Sequence, residues 1–323
     1  MDISLIIPAK DEEESIPELS SWISRVMQAH GFLYEVIFID DGSADGTWEE
    51  IKKVSKANPS FKGIQFNRNF GKSAALHTAF KAAQGEVVIT MDADLQDSPD
   101  EIPELYKLIK ERKFHLVSGW KKKRHDPISK TLPSKFFNYV TRKISGIHLH
   151  DFNCGLKAYH HSVIKNITVY GEMHRYIPVL AKWAGFTKIT EKVVEHRERK
   201  YGVSKFGWER FVRGFLDLLT ITFVGRFAKR PMHFFGAWGI VSFLVGFGFT
   251  VKIFWDKVDA LFISKIPLKR DVVDQPIFYL ALVALVIGVQ LFLTGFIAEL
   301  LARQSVSKAD YLVIDSIGID SAQ

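Results

Sequence analysis

Two long apolar runs constrain this chain more than any other feature. From Phe234 to Trp255 only Ser, Thr, Gly and a late Lys252 interrupt the apolar residues, and from Pro276 to Ala298 the main breaks are Gln290 and Thr294. Each run exceeds the ~20 residues that cross a bilayer core as a helix, so two membrane-spanning helices are expected, with both flanks on one side. Arg226, Lys229 and Arg230 precede the first run, and Arg303 and Lys308 follow the second, which places those flanks in the cytoplasm by the positive-inside tendency. The connecting segment weakens that asymmetry, because Lys257, Lys265, Lys269 and Arg270 are balanced by Asp256, Asp259, Asp271 and Asp274. Before the first run, Phe206 to Phe227 mixes Phe, Trp and Leu with Glu209, Arg210, Arg213, Asp217 and Arg226. That mixture suits amphipathic helices in the headgroup layer, or for its first half an ordinary domain helix.

The remainder of the 323 residues, in a chain that is 47% hydrophobic and 24% charged, suffices for an α/β domain with a buried core. Up to about Lys200, short apolar runs alternate with amphipathic stretches, the pattern of a parallel or mostly parallel sheet with crossover helices. Strands are expected at Ile3 to Ile7, Glu35 to Ile39, Gly63 to Phe66, Glu86 to Thr90 and Leu116 to Ser118. Helices are expected at Ser15 to Ala29, Gly46 to Ala57, Lys72 to Ala83 and Pro99 to Arg112, each with Asp, Ser, Gly or Pro near its start. Residues 1–205 then form the α/β domain, 206–230 the amphipathic helices, 231–302 the two spans, and 303–323 a tail. Within the tail, Tyr311 to Asp315 reads as a strand that could pair with a neighbouring subunit's edge. The first eight residues read as a core strand rather than a signal peptide. The single cysteine, Cys154, allows no intramolecular disulfide and favours a cytosolic face. A net charge of +7 points to an anionic partner, and on charge alone nucleic acid, nucleotide, phospholipid and lipid phosphate all qualify.

Acidic strand ends carry the chemistry. Asp92 and Asp94 follow an apolar run and share one side of an extended chain, which makes a hard oxygen site for Mg²⁺ or Mn²⁺ completed by a diphosphate. Asp40-Asp41-Gly42-Ser43 ends the second strand, and Lys10-Asp11-Glu12-Glu13-Glu14 follows the first, so three acidic strand ends converge on the crevice where open α/β sheets bind ligands. Asp41 suits a base or ribose, and equally a turn that feeds the next helix. Asn67-Arg68-Asn69-Phe70-Gly71-Lys72-Ser73 resembles a P-loop but fails on spacing, because Phe66 stands where the first glycine belongs. The amides at Gly71 remain suited to phosphate. No Gly-x-Gly-x-x-Gly follows a strand, which argues against a dinucleotide enzyme.

These motifs, Pro8-Ala9-Lys10-Asp11-Glu12-Glu13, Asp40-Asp41-Gly42-Ser43, Asn67 to Lys72 and Asp92-Ala93-Asp94-Leu95-Gln96-Asp97, resemble family 2 glycosyltransferases in their order. With the two apolar runs, the whole chain resembles the polyprenyl-phosphate glycosyltransferases related to dolichol-phosphate mannose synthase and the bactoprenol glucosyltransferases. The resemblance implies a GT-A (Rossmann-like) nucleotide-sugar domain. It places Pro8, Ala9, Glu12 and Asp41 around the nucleoside, Asp92 and Asp94 on the metal and diphosphate, Gln96 near sugar or metal, and Lys72 among the donor-binding residues. Lys10-Asp11 departs from the usual Tyr-Asn and offers no aromatic face to the base. A basic stretch from Lys121 to Arg124 and from Lys130 to Lys135 suits a lipid phosphate, and by resemblance Arg124, Lys130 and Ser134 take it. Asp151 to Lys157 resembles the segment lining the sugar and acceptor pocket. His196 to Lys205 resembles a basic loop that closes on donor phosphates through Arg199 and Lys205.

The implied activity is inverting transfer of one hexose, glucose in the first instance, from a UDP-sugar to undecaprenyl or dolichyl phosphate, with GDP-mannose as the other donor. The implied setting is the cytoplasmic face of a plasma (inner) membrane, among membrane lipids and without nucleic acid, in a homo-oligomer such as a tetramer. A lipid phosphate, with its second pKa near ~6, is already ionised at neutral pH and needs no general base. A sugar hydroxyl acceptor would need one, and Asp97 is nearest in sequence, although it also suits a cap for the helix near Pro99. A polysaccharide synthase fits less well, because two spans are too few for a channel and no Gln-x-x-Arg-Trp motif is present. An inactive membrane scaffold would need neither the acidic pair nor the basic loops. Cys154 is not expected to act as a nucleophile.

Overall fold

The computed structural model describes residues 1–122, 138–197, 200, 231–265, 270–304 and 313–317. They fall into two compact units, Met1–Ile221 with Ala309–Gln323, and Thr222–Lys308.

The first unit is built on one eight-stranded sheet. Its strands are β1 (Ile3–Ala9), β2 (Tyr34–Asp40), β3 (Phe61–Phe66), β4 (Val87–Thr90), β5 (Leu116–Trp120), β6 (Lys157–His160), β7 (Ile189–Val193) and β8 (Val313–Ile317), in the order β7-β5-β6-β4-β1-β2-β3-β8. The expected strands and helices are present with small shifts at their ends. Helices α1 (Ser15–Ala29), α2 (Thr47–Ala57) and α3 (Lys72–Ala82) cross between parallel strands, and α4 (Ile102–Lys110) follows a 3₁₀ turn at Pro99–Glu101. In β1, Ile3, Leu5, Ile6 and Ile7 have no exposed surface, as expected for a strand covered on both faces. Helix α1 turns Ile16, Leu19, Ile23, Val26 and Met27 inward at helical spacing, and all five join the core.

The sheet is less uniform than the alternation predicts. The pairs β1–β2, β1–β4, β2–β3 and β5–β7 are parallel, but β6 runs antiparallel between β4 and β5. The tail strand is real but pairs antiparallel with β3 of its own chain, so the expected pairing with a neighbouring subunit is corrected to an intramolecular one. The physical reason is that β3 would otherwise leave a row of unpaired amides and carbonyls at the sheet edge.

The second unit consists chiefly of helices Pro231–Val258 and Pro276–Gln304, of 28 and 29 residues. They pack closely because glycines line their seam. A Cβ on Gly288 would lie 2.7 Å from the Phe243 amide nitrogen, and one on Gly246 would lie 2.8 Å from that of Leu285. Ser242 Oγ donates across the seam to the Ala284 carbonyl at 2.8 Å. Elsewhere their large apolar side chains are open, with Phe254 67% and Trp238 59% exposed. A core helix of a soluble protein would bury those groups, so both helices are candidate membrane spans. The amphipathic stretch expected over 206–230 lies outside the described residues.

Candidate active site at the carboxyl edge of the sheet

Strands β4, β1 and β2 are neighbours, so their carboxyl ends bring the three acidic motifs to one edge. The first motif mainly organises the second. The Asp11 N–H donates to Ser43 Oγ (3.0 Å) and the Ala44 N–H to Asp11 Oδ1 (2.9 Å). The Glu12 N–H donates to Thr47 Oγ1 (2.8 Å) and the Gly46 N–H to Glu13 Oε2 (3.0 Å). Glu12 Oε2 also accepts from Ser15 Oγ at 2.9 Å, a contact across the start of α1. Pro8 and Ala9 end β1, where the Ala9 carbonyl accepts from the Asp41 N–H at 2.9 Å.

Asp41 is buried and reaches across to the Asn67–Lys72 loop. Its carboxylate accepts from the Phe70 N–H (2.7 Å) and the Gly71 N–H (2.9 Å). Burial raises its pKa while the amide hydrogen bonds oppose the rise. Gly71 has φ +92, a left-handed conformation that suits glycine. The turn it makes starts α3 and aims Lys72 at Asp92, with which Lys72 Nζ forms an ion pair.

Asp92 is the electrostatic centre of the described site. Partial removal from water opposes its ionisation, but the ammonium groups of Lys72, Lys121 and Lys157 win and hold its carboxyl well below the usual range. Lys157, on β6, is buried and donates to the Cys154 carbonyl. Gly155 lies against the aspartate so closely that a Cβ there would sit 2.4 Å from Asp92 Oδ2. The Asp151–Lys157 segment therefore forms a wall of this site. Cys154 is buried within it, and burial pushes its thiol up to about 12, which leaves it inert as a nucleophile.

Asp94 is buried on the same loop, and its Oδ1 accepts from the Gln96 N–H at 3.2 Å. The Gln96 side chain donates to the Arg197 carbonyl at 3.3 Å. Asp97 is fully buried, forms an isolated β-bridge with His196, and pairs with Lys121 at 2.9 Å. Arg197 stacks over the Trp22 ring at 4.4 Å, which ties the segment after β7 to α1.

Arg124, Lys130, Ser134, Arg199 and Lys205 lie outside the described residues. Sequence reasoning missed His174, which packs on Ser73 near Asp92, because its Met173-His174-Arg175 segment follows no strand end and matches no short motif. Among the described residues no three His, Cys, Asp or Glu side chains gather as a metal site. Asp92 and Asp94 are hard carboxylate donors on one loop, a set that fits Mg²⁺ or Mn²⁺ only if a diphosphate and water complete it.

Residues 4–168 match the sequence model of the family described as glycosyl transferase family 2. A dodecaprenyl-phosphate galacturonate synthase from Rhizobium johnstonii is 35% identical over 306 residues, 94% of this chain and 88% of that protein. An undecaprenyl-phosphate 4-deoxy-4-formamido-L-arabinose transferase from Aeromonas hydrophila subsp. hydrophila is 33% identical over 304 residues, 93% of this chain and 88% of its own. Among solved structures, glucosyl-3-phosphoglycerate synthase from Mycobacterium tuberculosis, in complex with Mn²⁺, UDP-glucose and phosphoglyceric acid, superimposes with a TM-score of 0.52 at 19% identity. That likeness covers 69% of this chain and 79% of the other, and it concerns the fold.

Proposed function

The chain belongs to glycosyltransferase family 2, and from that membership we propose that it transfers a single sugar, with inversion, from a nucleotide diphosphate sugar to polyprenyl phosphate at a membrane surface. The observation that carries this reading is the Asp92–Asp94 loop at the end of β4, where Asp92 pairs with Lys72 and is held ionised by the charges of Lys72, Lys121 and Lys157. Relatives named for dodecaprenyl and undecaprenyl phosphate align over nearly the whole chain, spans included, which supports that acceptor.

An oxygen of the lipid phosphate attacks the anomeric carbon as the bond from that carbon to the diphosphate breaks. The nucleophile arrives ionised, so the protein's task is to bring two anions together and offset the charge of the leaving diphosphate. Asp92 and Asp94 would hold a divalent cation, which supplies Lewis-acid stabilisation of the departing oxygen. Lys72 adds a fixed positive charge beside that carboxylate. The rival acceptor, a sugar hydroxyl, would need a carboxylate base. Asp97 suits that role poorly, being fully buried and held by Lys121.

We take uridine as the nucleotide, Mg²⁺ or Mn²⁺ as the metal, and the cytoplasmic face of the inner membrane as the location, the last from the basic flanks of the spans. Glucose is the sequence expectation for the sugar. The relatives named for galacturonate and formamido-arabinose widen the set. The test is incubation of the purified chain with radiolabelled UDP-glucose, UDP-galacturonate or GDP-mannose and undecaprenyl phosphate. The expected product is soluble in chloroform and labile to mild acid. Label recovered only in water-soluble polymer, or in no product with any donor, would remove the reading.

A further inference from the structure

Beside Asp92, the helix that follows the Asn67–Lys72 motif meets an element that belongs to none of the donor motifs. Ser73 lies in the first turn of α3, and His174 lies in the 3₁₀ turn Met173–Tyr176, 101 residues further along the chain. The His174 backbone N–H donates to Ser73 Oγ at 3.0 Å, and the same oxygen lies 3.1 Å from His174 Nδ1. Ser73 Oγ already accepts one bond. Assigning its single proton to Nδ1 places the ring proton on Nε2. Glu172 Oε2 stands 3.9 Å from Nδ1, beyond hydrogen-bond reach. Nε2 has no acceptor among the described residues, and the side chain is 16% exposed. Burial first, then the charges of Lys72, Arg175 and Lys157, keep the ring neutral by holding it well below the ordinary histidine range.

We propose that His174 is a sugar-reading residue, which donates from Nε2–H to a hydroxyl of the donor sugar and so takes part in choosing which sugar is transferred. The choice of a hydroxyl over a phosphate follows from the neighbours. Lys72, paired with Asp92, already offers a cation for phosphate oxygens, and a neutral N–H adds little there. A hydroxyl accepts from a neutral N–H and can still donate its own proton to another oxygen. Polar contacts of this kind discriminate between sugars that differ at one centre, because the wrong sugar leaves a buried donor unpaired. The inference rests on the nucleotide-sugar reading above.

The experiment uses the full chain in detergent with Mn²⁺ and calorimetric titration of UDP, UDP-glucose and UDP-galacturonate, alongside GDP and GDP-mannose. In His174→Ala the affinity for the free nucleoside diphosphate should stay unchanged. The affinity and kcat/KM for the sugar nucleotide that the wild type uses should fall about tenfold, the loss of one hydrogen bond. His174→Gln, whose amide N–H can stand in for Nε2–H, should recover most of the loss, and Ser73→Ala should show a smaller drop of the same kind. Equal losses for nucleotide and sugar nucleotide, or no loss for either, would overturn the role of His174 while leaving the transferase reading intact. A wild-type chain that binds no nucleotide or sugar nucleotide would remove both together.

Discussion

Glu35, at the second position of β2, shows what a charge needs in order to be buried. Only 1% of its side chain is exposed, yet Lys62 Nζ lies 2.8 Å from Oε2, and the Gln84 N–H and Ser4 Oγ both donate to Oε1. Burial works against its ionisation, but the hydrogen bonds from Lys62, Ser4 and Gln84 leave its pKa below the ordinary 4.5. A depressed carboxylate contributes stability above its unfolded pKa and loses that contribution as pH falls through the folded value. Lys62→Met would leave the carboxylate buried without its cation, at a cost of about 3 kcal/mol at neutral pH. Thermal melts in detergent should show a drop of roughly 6–12 °C at pH 7. The gap between variant and wild type should narrow towards pH 4 as Glu35 protonates, and a gap independent of pH would refute this account. Asp92 is a different kind of charge: one third of its side chain is exposed, where Glu35 is almost wholly buried. The acidic residues of this site were legible one by one from their places at strand ends. Their partners were not, since Gly155 lies against Asp92, and the Lys157 charge acts on it, from a segment some sixty residues away in sequence.

The helices and strands from Ile3 to Trp120 were legible because each carries its own period, alternating or near 3.6, and its own stop signals. Strands β6 and β7 were less so. Lys157–His160 is only four residues long and owes its antiparallel place to the edges of β4 and β5 rather than to any pattern of its own. The two long helices present the opposite case. Their apolar composition announces them, but the seam between them depends on where the glycines fall. Gly239 and Gly246 on one helix, and Gly288 and Gly295 on the other, are spaced by seven and meet the facing helix closely. In Gly288→Val the added carbons would meet the Phe243 amide and the Gly239 carbonyl, both backbone and unable to turn aside. The expected result is separation of the helices, at a cost of about 1–3 kcal/mol, read as a lower melting temperature in detergent. The control Gly248→Ala, where nothing lies within 4 Å of the added Cβ, should melt like the wild type.

For the whole molecule, two units of different solvent preference share one chain. The sheet unit buries its apolar strands, while the helical unit leaves Trp238, Phe254 and Phe296 open. A protein held to a membrane by charge alone would leave it in high salt, because screening weakens such attraction. This chain should stay in the membrane pellet through 1 M salt and alkaline carbonate, and leave it only with detergent. Release by salt would show that the two helices do not span. The sequence by itself determined the pieces: which segments are strands, which helices avoid water, and which acids end the strands. Those are local properties, set by periodicity and composition within a few turns of chain. Tertiary structure alone decided that the tail strand closes the β3 edge of its own sheet, that the charges of three lysines from separate elements act on Asp92, and that Ser73 meets His174. Each of these depends on the distance between groups remote in sequence, which no local pattern encodes.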